Sequence, residues 1–240
     1  MPVPHRHEYI HHQDPGLGST IRELVFGMED GMVSTLGSIT GIAAATQHPF
    51  TIILSGFVIV SVESISMAVG SYLSSKSERD IDERKLQEER TELKEYPEEE
   101  KQELVDMYAK DGWPRDLSVQ MAEVASKNKQ LFLQEMAYRE LKIFPENLAH
   151  PRLNALVMGL SYIGGGAVPL LPYLFLPLGS AIVLSIVITF IGLFFVGVFT
   201  TKFSHRSWWK AGLEMLTLAG IAAAVGYGVG QVVENFWLSR

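Results

Sequence analysis

Five apolar blocks of bilayer length, near residues 24–46, 51–75, 153–173, 176–200 and 211–233, leave this chain few ways to fold. A hydrocarbon core takes roughly 20 apolar residues of helix. Within it each backbone N–H and C=O must be satisfied inside its own segment. The expected fold is an all-α membrane protein of five transmembrane helices. Between the second and third blocks lies a polar block, 76–150, with 13 Lys/Arg and 19 Asp/Glu, which supplies most of the chain's net charge of −7. An acidic balance argues against a nucleic-acid partner, which requires a basic face. There are no cysteines, so disulfides, zinc–thiolate sites and iron–sulfur clusters are excluded.

Loop charge sets orientation. Residues 47–50 and 170–177 carry no Lys or Arg, whereas 201–210 carries Lys202, Arg206 and Lys210 beside Trp208 and Trp209, a pair suited to a membrane interface. Together with the basic residues of 76–150, these loops agree on one topology. The N-terminus and residues 76–150 are expected to be cytoplasmic and the C-terminus to lie on the opposite side, with Arg240 a minor exception. The chain then divides into a polar His-rich tail (1–20), spans one and two (21–75), a cytosolic acidic helical domain (76–150) and spans three to five (151–240). The tail has no apolar core of a signal peptide and is not expected to be a cleaved leader. His5, His7, His11 and His12 have no spacing that fixes a metal geometry, so they read as a polar tail.

The polar block reads as helices. Ser71 to Glu95 lacks Gly and Pro, and predicts a helix running straight out of span two. Tyr96-Pro97 breaks it, because proline disfavours helix in the residue before it. Pro97 suits the first turn of a second helix, with Glu98, Glu99 and Glu100 complementing its dipole, and Asp111-Gly112 stops it. Further helices are predicted over Arg115–Ser126 and Lys129–Ile143. Glu89 and Glu92 share a helix face, as do Glu100 and Glu103 on the next helix and Met136 and Glu140 further on. Antiparallel helices would let these pairs face each other and build a divalent-metal site. Oxygen ligands suit Mg, Ca or Mn, and a thioether tilts the choice towards Fe(II). By spacing alone, a solvated Glu-rich face is the simpler reading.

The apolar blocks are themselves interrupted by acids. Asp30 lies within Met28-Glu29-Asp30-Gly31-Met32-Val33-Ser34, after which the chain is apolar or small as far as Thr46, and Glu63 interrupts the second block. A carboxylate in mid-span costs several kcal/mol, on the order of 3 by insertion scales, unless it faces a cavity, a cation or a partner. Two such acids in adjacent spans suggest a cation path. Glu29 points about 100° away from Asp30 on the helix and is the weaker candidate. Asp30 and Glu63 also suit proton carriage, since a cation favours the charged form of a desolvated carboxylate. No nucleotide-binding motif is present, so an ion gradient is the expected energy source.

With these residues in view, the chain resembles the vacuolar iron transporter family, which includes the yeast Ca(II)-sensitive cross-complementer and plant nodulin-like transporters. The resemblance runs from Arg22 over nearly the whole chain. It rests on Glu23 and Asp30-Gly31-Met32-Val33-Ser34, on Ser66-Met67-Ala68-Val69-Gly70, on Glu89-x-x-Glu92 with Tyr96-Pro97-Glu98-Glu99-Glu100-x-x-Glu103-Leu104, and on the order of five spans. It implies a homodimer exporting cytosolic Fe(II), and often Mn(II), in exchange for protons, with no cofactor because the metal is cargo and the proton counter-ion. It implies an ion path between the two first spans, lined by Asp30 and Met67, with Glu23 at the cytosolic entrance. Glu89, Glu92, Glu100, Glu103, Met136 and Glu140 match the ligands of a cytosolic metal-binding domain. This chain departs from the family in two places. Gly70-Ser71-Tyr72 replaces Gly-Glu-Tyr, removing one entrance carboxylate for which Glu63, two helical turns earlier, is a partial substitute. Met136-Ala137 replaces a methionine pair.

Gly164-Gly165-Gly166 with Pro169 and Pro172 predicts close packing and a bend in span three. Gly220, Gly226, Gly228 and Gly230 predict a small-residue packing face in span five. Met28, Met32 and Met67 could each be a thioether ligand, but a buried methionine is normally packing, so Met67 alone is singled out, by the resemblance and the nearby acids. Two other functions remain open on sequence. A membrane-anchored storage or ferroxidase protein would need Glu-x-x-His pairs, and the polar block has no His before His150. A non-transporting metal sensor would have no use for Asp30 in mid-membrane.

Overall fold

The computed structural model describes residues 17–46, 48–145, 148–204 and 206–233; the His-rich tail lies outside them. The described residues form helices α1 (Leu17–Thr46), α2 (Pro49–Glu95), α3 (Pro97–Lys110), α4 (Arg115–Ser126) and α5 (Lys129–Met136), a π turn (Ala137–Leu141), then α6 (Pro151–Phe175), α7 (Leu178–Ser204) and α8 (Trp208–Val233), with no strand among them. Two compact units result. One holds Ser75–His150, the other Gly18–Ser74 with the chain from Pro151 onward.

In the second unit, α2, α6, α7 and α8 are long and apolar enough to cross a membrane. At 30 residues α1 is also long enough, but Glu23, Glu29 and Asp30 dilute its apolar character. It is instead the core helix of the unit: Met32, Leu36, Ile39 and Ala43 are buried, with Thr35 and Thr40 between them. The outer helices keep large apolar side chains exposed, as Val183, Val187, Ile191 and Phe195 do on α7, which fits contact with lipid.

Glycine makes the burial of α1 possible. Gly27 lies so close to α6 that a Cβ would come within 2.7 Å of the Met158 carbonyl, and Gly31 is pressed against the Tyr162 carbonyl in the same way. One end further on, Gly41 and Gly37 meet Gly226 and Gly230 of α8 backbone to backbone. These are two small-xxx-small crossings on one helix. Gly220 and Gly228, expected on the same packing face, have open space around their Cα atoms. In α6 the helix continues through Pro169 and Pro172, and Gly165 and Gly166 take up the close contacts to α1 and α2 while Gly164 does not.

In the first unit, Leu104, Val105, Tyr108, Ala122, Ala125, Phe132 and Met136 form the apolar core of α3, α4 and α5. The stops fall where the sequence places them. Tyr96 leaves the helical region ahead of Pro97, Gly112 takes φ +99°, and the Asn128 side chain caps α5 by accepting from the N–H groups of Gln130 and Leu131. The exception is the last helix. It ends at Met136, and Ala137–Leu141 form a π turn closed by Lys142 at φ 57°. Arg139 fastens this turn. Its guanidinium lies 4.3 Å over the Tyr108 ring, bonds Glu135 at 3.1 Å and pairs with Asp111 at the end of α3.

Candidate metal centre

The helix break at Tyr96-Pro97 returns the chain beside the last turns of α2, and the π turn brings a third segment to the same place. Glu89 of α2, Glu100 in the first turn of α3 and Glu140 of the π turn offer carboxylate oxygens that all lie within 4.8 Å of one another. Glu89 is 1% exposed and Glu100 9% exposed, while Glu140 faces solvent. Glu89 Oε1 and Glu100 Oε2 are buried without a hydrogen-bond partner among the described residues. A buried acceptor left unpaired costs about 1–3 kcal/mol, more when charged. These two atoms therefore fit a cation held between them.

The electrostatics agree. Burial first, then the carboxylates of Glu140, Glu100 and Glu92, push Glu89 up to about 8. Burial and then Glu103 push Glu100 up to about 7. Glu140 is raised by burial and Glu103, while a hydrogen bond from Glu89 draws it back. Burial and the crowding of three carboxylates thus favour their protonated forms when no metal is bound. Glu92 and Glu103 are exposed and act on the three from the rim rather than among them. Met136 is 0% exposed and belongs to the apolar core. The close set is oxygen-only, which suits a hard or borderline divalent ion.

The intramembrane candidates lie in the other unit. Glu63 of α2 accepts a hydrogen bond from the Tyr162 hydroxyl of α6 at 2.7 Å, and Ser34 Oγ of α1 lies 2.5 Å from that hydroxyl. Asp30, one turn before Ser34, is half-buried and within electrostatic reach of both Glu63 and Tyr162. Met67 is half-buried one turn beyond Glu63 on α2. Glu23 is 7% exposed. It pairs with Arg22 at 3.3 Å and accepts from the Ser71 hydroxyl at 2.9 Å. The departure at Ser71 therefore replaces a carboxylate with a donor to the remaining one, and Glu63 finds its partner in Tyr162. Glu29, also half-buried, is within electrostatic reach of Asp30 and of Glu214 on α8.

Sequence reasoning missed Tyr162 altogether, and placed Ser34 and Ser71 in motifs without the hydrogen bonds they make to Tyr162 and Glu23. The signal was present for Tyr162 alone: a tyrosine inside an apolar span needs a partner for its hydroxyl.

A model of the VIT family matches residues 21–231. A vacuolar iron transporter 1 of Eucalyptus grandis is 27% identical over 219 residues, covering 91% of this chain and 88% of the relative. A vacuolar iron transporter of Centaurea cyanus is 30% identical over 220 residues, covering 88% and 87%. One of Toxoplasma gondii is 29% identical over 224 residues, covering 89% and 74%.

Proposed function

The chain belongs to the VIT family, and from that membership we propose that it is a membrane transporter carrying divalent iron, and Mn(II) with it, out of the cytosol in exchange for protons. Its relatives are named as transporters, so it is not an enzyme, and the metal is cargo rather than cofactor. The observation that carries the reading is the pair of orphaned carboxylate oxygens on Glu89 and Glu100 beside Glu140.

In this reading the polar unit gathers the ion on the cytosolic side. Glu89, Glu100 and Glu140 hold it, Glu92 and Glu103 add negative field, and Met136 supplies a thioether only if its core packing opens. Binding displaces the proton that the cluster holds when empty. Glu23 forms the entrance in the membrane unit, and Asp30, Glu63 and Met67 form the intramembrane stage. There a carboxylate that gives up its proton to take the cation links the two fluxes. Supporting this stage, α1 is long enough to serve as a fifth span, and its row of Asp30, Ser34, Ser38 and Ile42 is only half-buried in the single chain. Two copies meeting on that row make a homodimer with a path between their first helices. Residues 76–150 are cytoplasmic and the C-terminus lies on the far side; the relatives' names suggest a vacuolar membrane.

Flux tests this. Liposomes bearing the purified protein and an acidic lumen are expected to take up Fe(II) and Mn(II). Uptake indifferent to the pH gradient removes the antiport, and no uptake of Fe(II), Mn(II), Co(II), Zn(II) or Ca(II) removes transport. In that case metal binding without movement leaves storage or sensing.

A further inference from the structure

Tyr162 belongs to no carboxylate or methionine pattern, yet it is the group that joins α1, α2 and α6 at mid-span. We propose that Tyr162, backed by Ser34, is the positioning residue of the intramembrane stage: its hydroxyl fixes the Glu63 carboxylate in place and leaves Asp30 as the group that takes the ion. The proposal rests on the reading of Asp30 and Glu63 as part of the ion path.

Three observations carry it. The Tyr162 side chain is 0% exposed, and Gly31 of α1 is pressed against its backbone carbonyl, so its place is set against the helix that bears Asp30. Its hydroxyl has one proton, and Glu63 Oε2 lies 2.7 Å away to receive it. Ser34 Oγ then donates to the phenol oxygen, so the chain Ser34 to Tyr162 to Glu63 uses each proton once. Asp30 shares a helix face with Ser34 at i, i+4 but has no hydrogen bond among the described residues. Of the two facing carboxylates one is held and the other is free. A free carboxylate is the better cation ligand, because no donor has to be displaced first. A rigid aromatic arm is suited to the holding role, having only two side-chain torsions to restrain.

Tyr162→Phe keeps the ring and removes the hydroxyl. In the metal-free protein the infrared band of the Glu63 carboxyl group, identified by its loss in Glu63→Gln, is expected to move in Tyr162→Phe, which a tyrosine that merely fills space would not cause. Mn(II) uptake by liposomes is expected to fall about tenfold or more, the scale of one hydrogen bond to a charged group, with the melting temperature close to wild type. Ser34→Ala, which leaves the Tyr162 hydroxyl in place, is expected to lower uptake in the same direction by less. Wild-type uptake in Tyr162→Phe, or an unmoved Glu63 band, overturns the proposal. Wild-type protein that moves no Mn(II) overturns the transport reading itself, and this proposal with it.

Discussion

At the residue scale, the two groups of acids differ in what neutralises them. Asp30 makes no hydrogen bond among the described residues and faces the like charge of Glu63, so removing it takes away an unfavourable charge rather than a contact. Asp30→Ala is therefore expected to abolish metal uptake by liposomes while the protein elutes and melts as wild type; near-normal uptake would place the path elsewhere. Glu89 and Glu100 differ in being tied to pH. Their protons must leave before a metal binds, so affinity in the intact protein is expected to rise from pH 6 to pH 8, through the values of about 7 for Glu100 and about 8 for Glu89. Calorimetry in two buffers of different ionisation heat should show proton release at pH 7. The same shift sets stability without metal. A carboxylate raised on folding binds its proton more tightly in the folded state, so stability falls as pH rises above the ordinary carboxylate range and levels off beyond about 8 for Glu89. Glu89→Gln is expected to flatten that fall in a series of melting curves.

At the scale of elements, α1 depends on its glycines and the polar unit on its π turn. Gly31 has no room for any side chain, with the Tyr162 carbonyl on one side and the Gly166 N–H 2.9 Å from a would-be Cβ. Both neighbours are backbone and cannot step aside as a side-chain tip would. Gly31→Val is expected to destabilise by more than the roughly 1–3 kcal/mol of ordinary overpacking, read as a lowered melting temperature and loss of the single elution peak. Gly70→Ala, at a glycine with open space around it, is the matched control. The π turn had no sequence signal. Met136 and Glu140 were read as sharing an α-helical face, and the wider turn, typical of functional sites, places Glu140 with Glu89 and Glu100 while Met136 enters the core.

For the whole molecule, the open question is what covers α1. The half-buried row of Asp30, Ser34, Ser38 and Ile42 is too polar at Asp30 for lipid, and in the proposed homodimer a second copy of the chain would supply the matching face. The chain has no cysteine, so Ser38→Cys introduces a single thiol. Under oxidation in membranes it is expected to give a covalent dimer, whereas Val187→Cys on the exposed face of α7 should not. Monomer alone from Ser38→Cys would remove the path between two first helices.

How much was legible follows from the range of each force. Apolar length and the breakers Pro97, Gly112 and Pro114 act within a few residues, so the order of helices and their stops in the polar block could be read directly. The family motifs likewise marked Glu89, Glu100 and Glu140 through short spacings. What tertiary structure decided were the meetings between distant segments. Glu63 was recognisable as an acid in a span, but not as the acceptor of Tyr162, because 99 residues separate them. Ser71 looked like a loss at the entrance until its hydroxyl was found on Glu23, 48 residues away. Composition diluted the apolar character of α1 with Glu23, Glu29 and Asp30; close glycine contacts to α6 and α8 nevertheless bury much of it. Sequence alone determined that this chain is helical, has apolar helices of membrane-spanning length and carries an acidic polar block between them, since those are sums over local preferences. Which carboxylates are held, which are orphaned and which remain free depends on what packs against them, and only the folded chain supplies that.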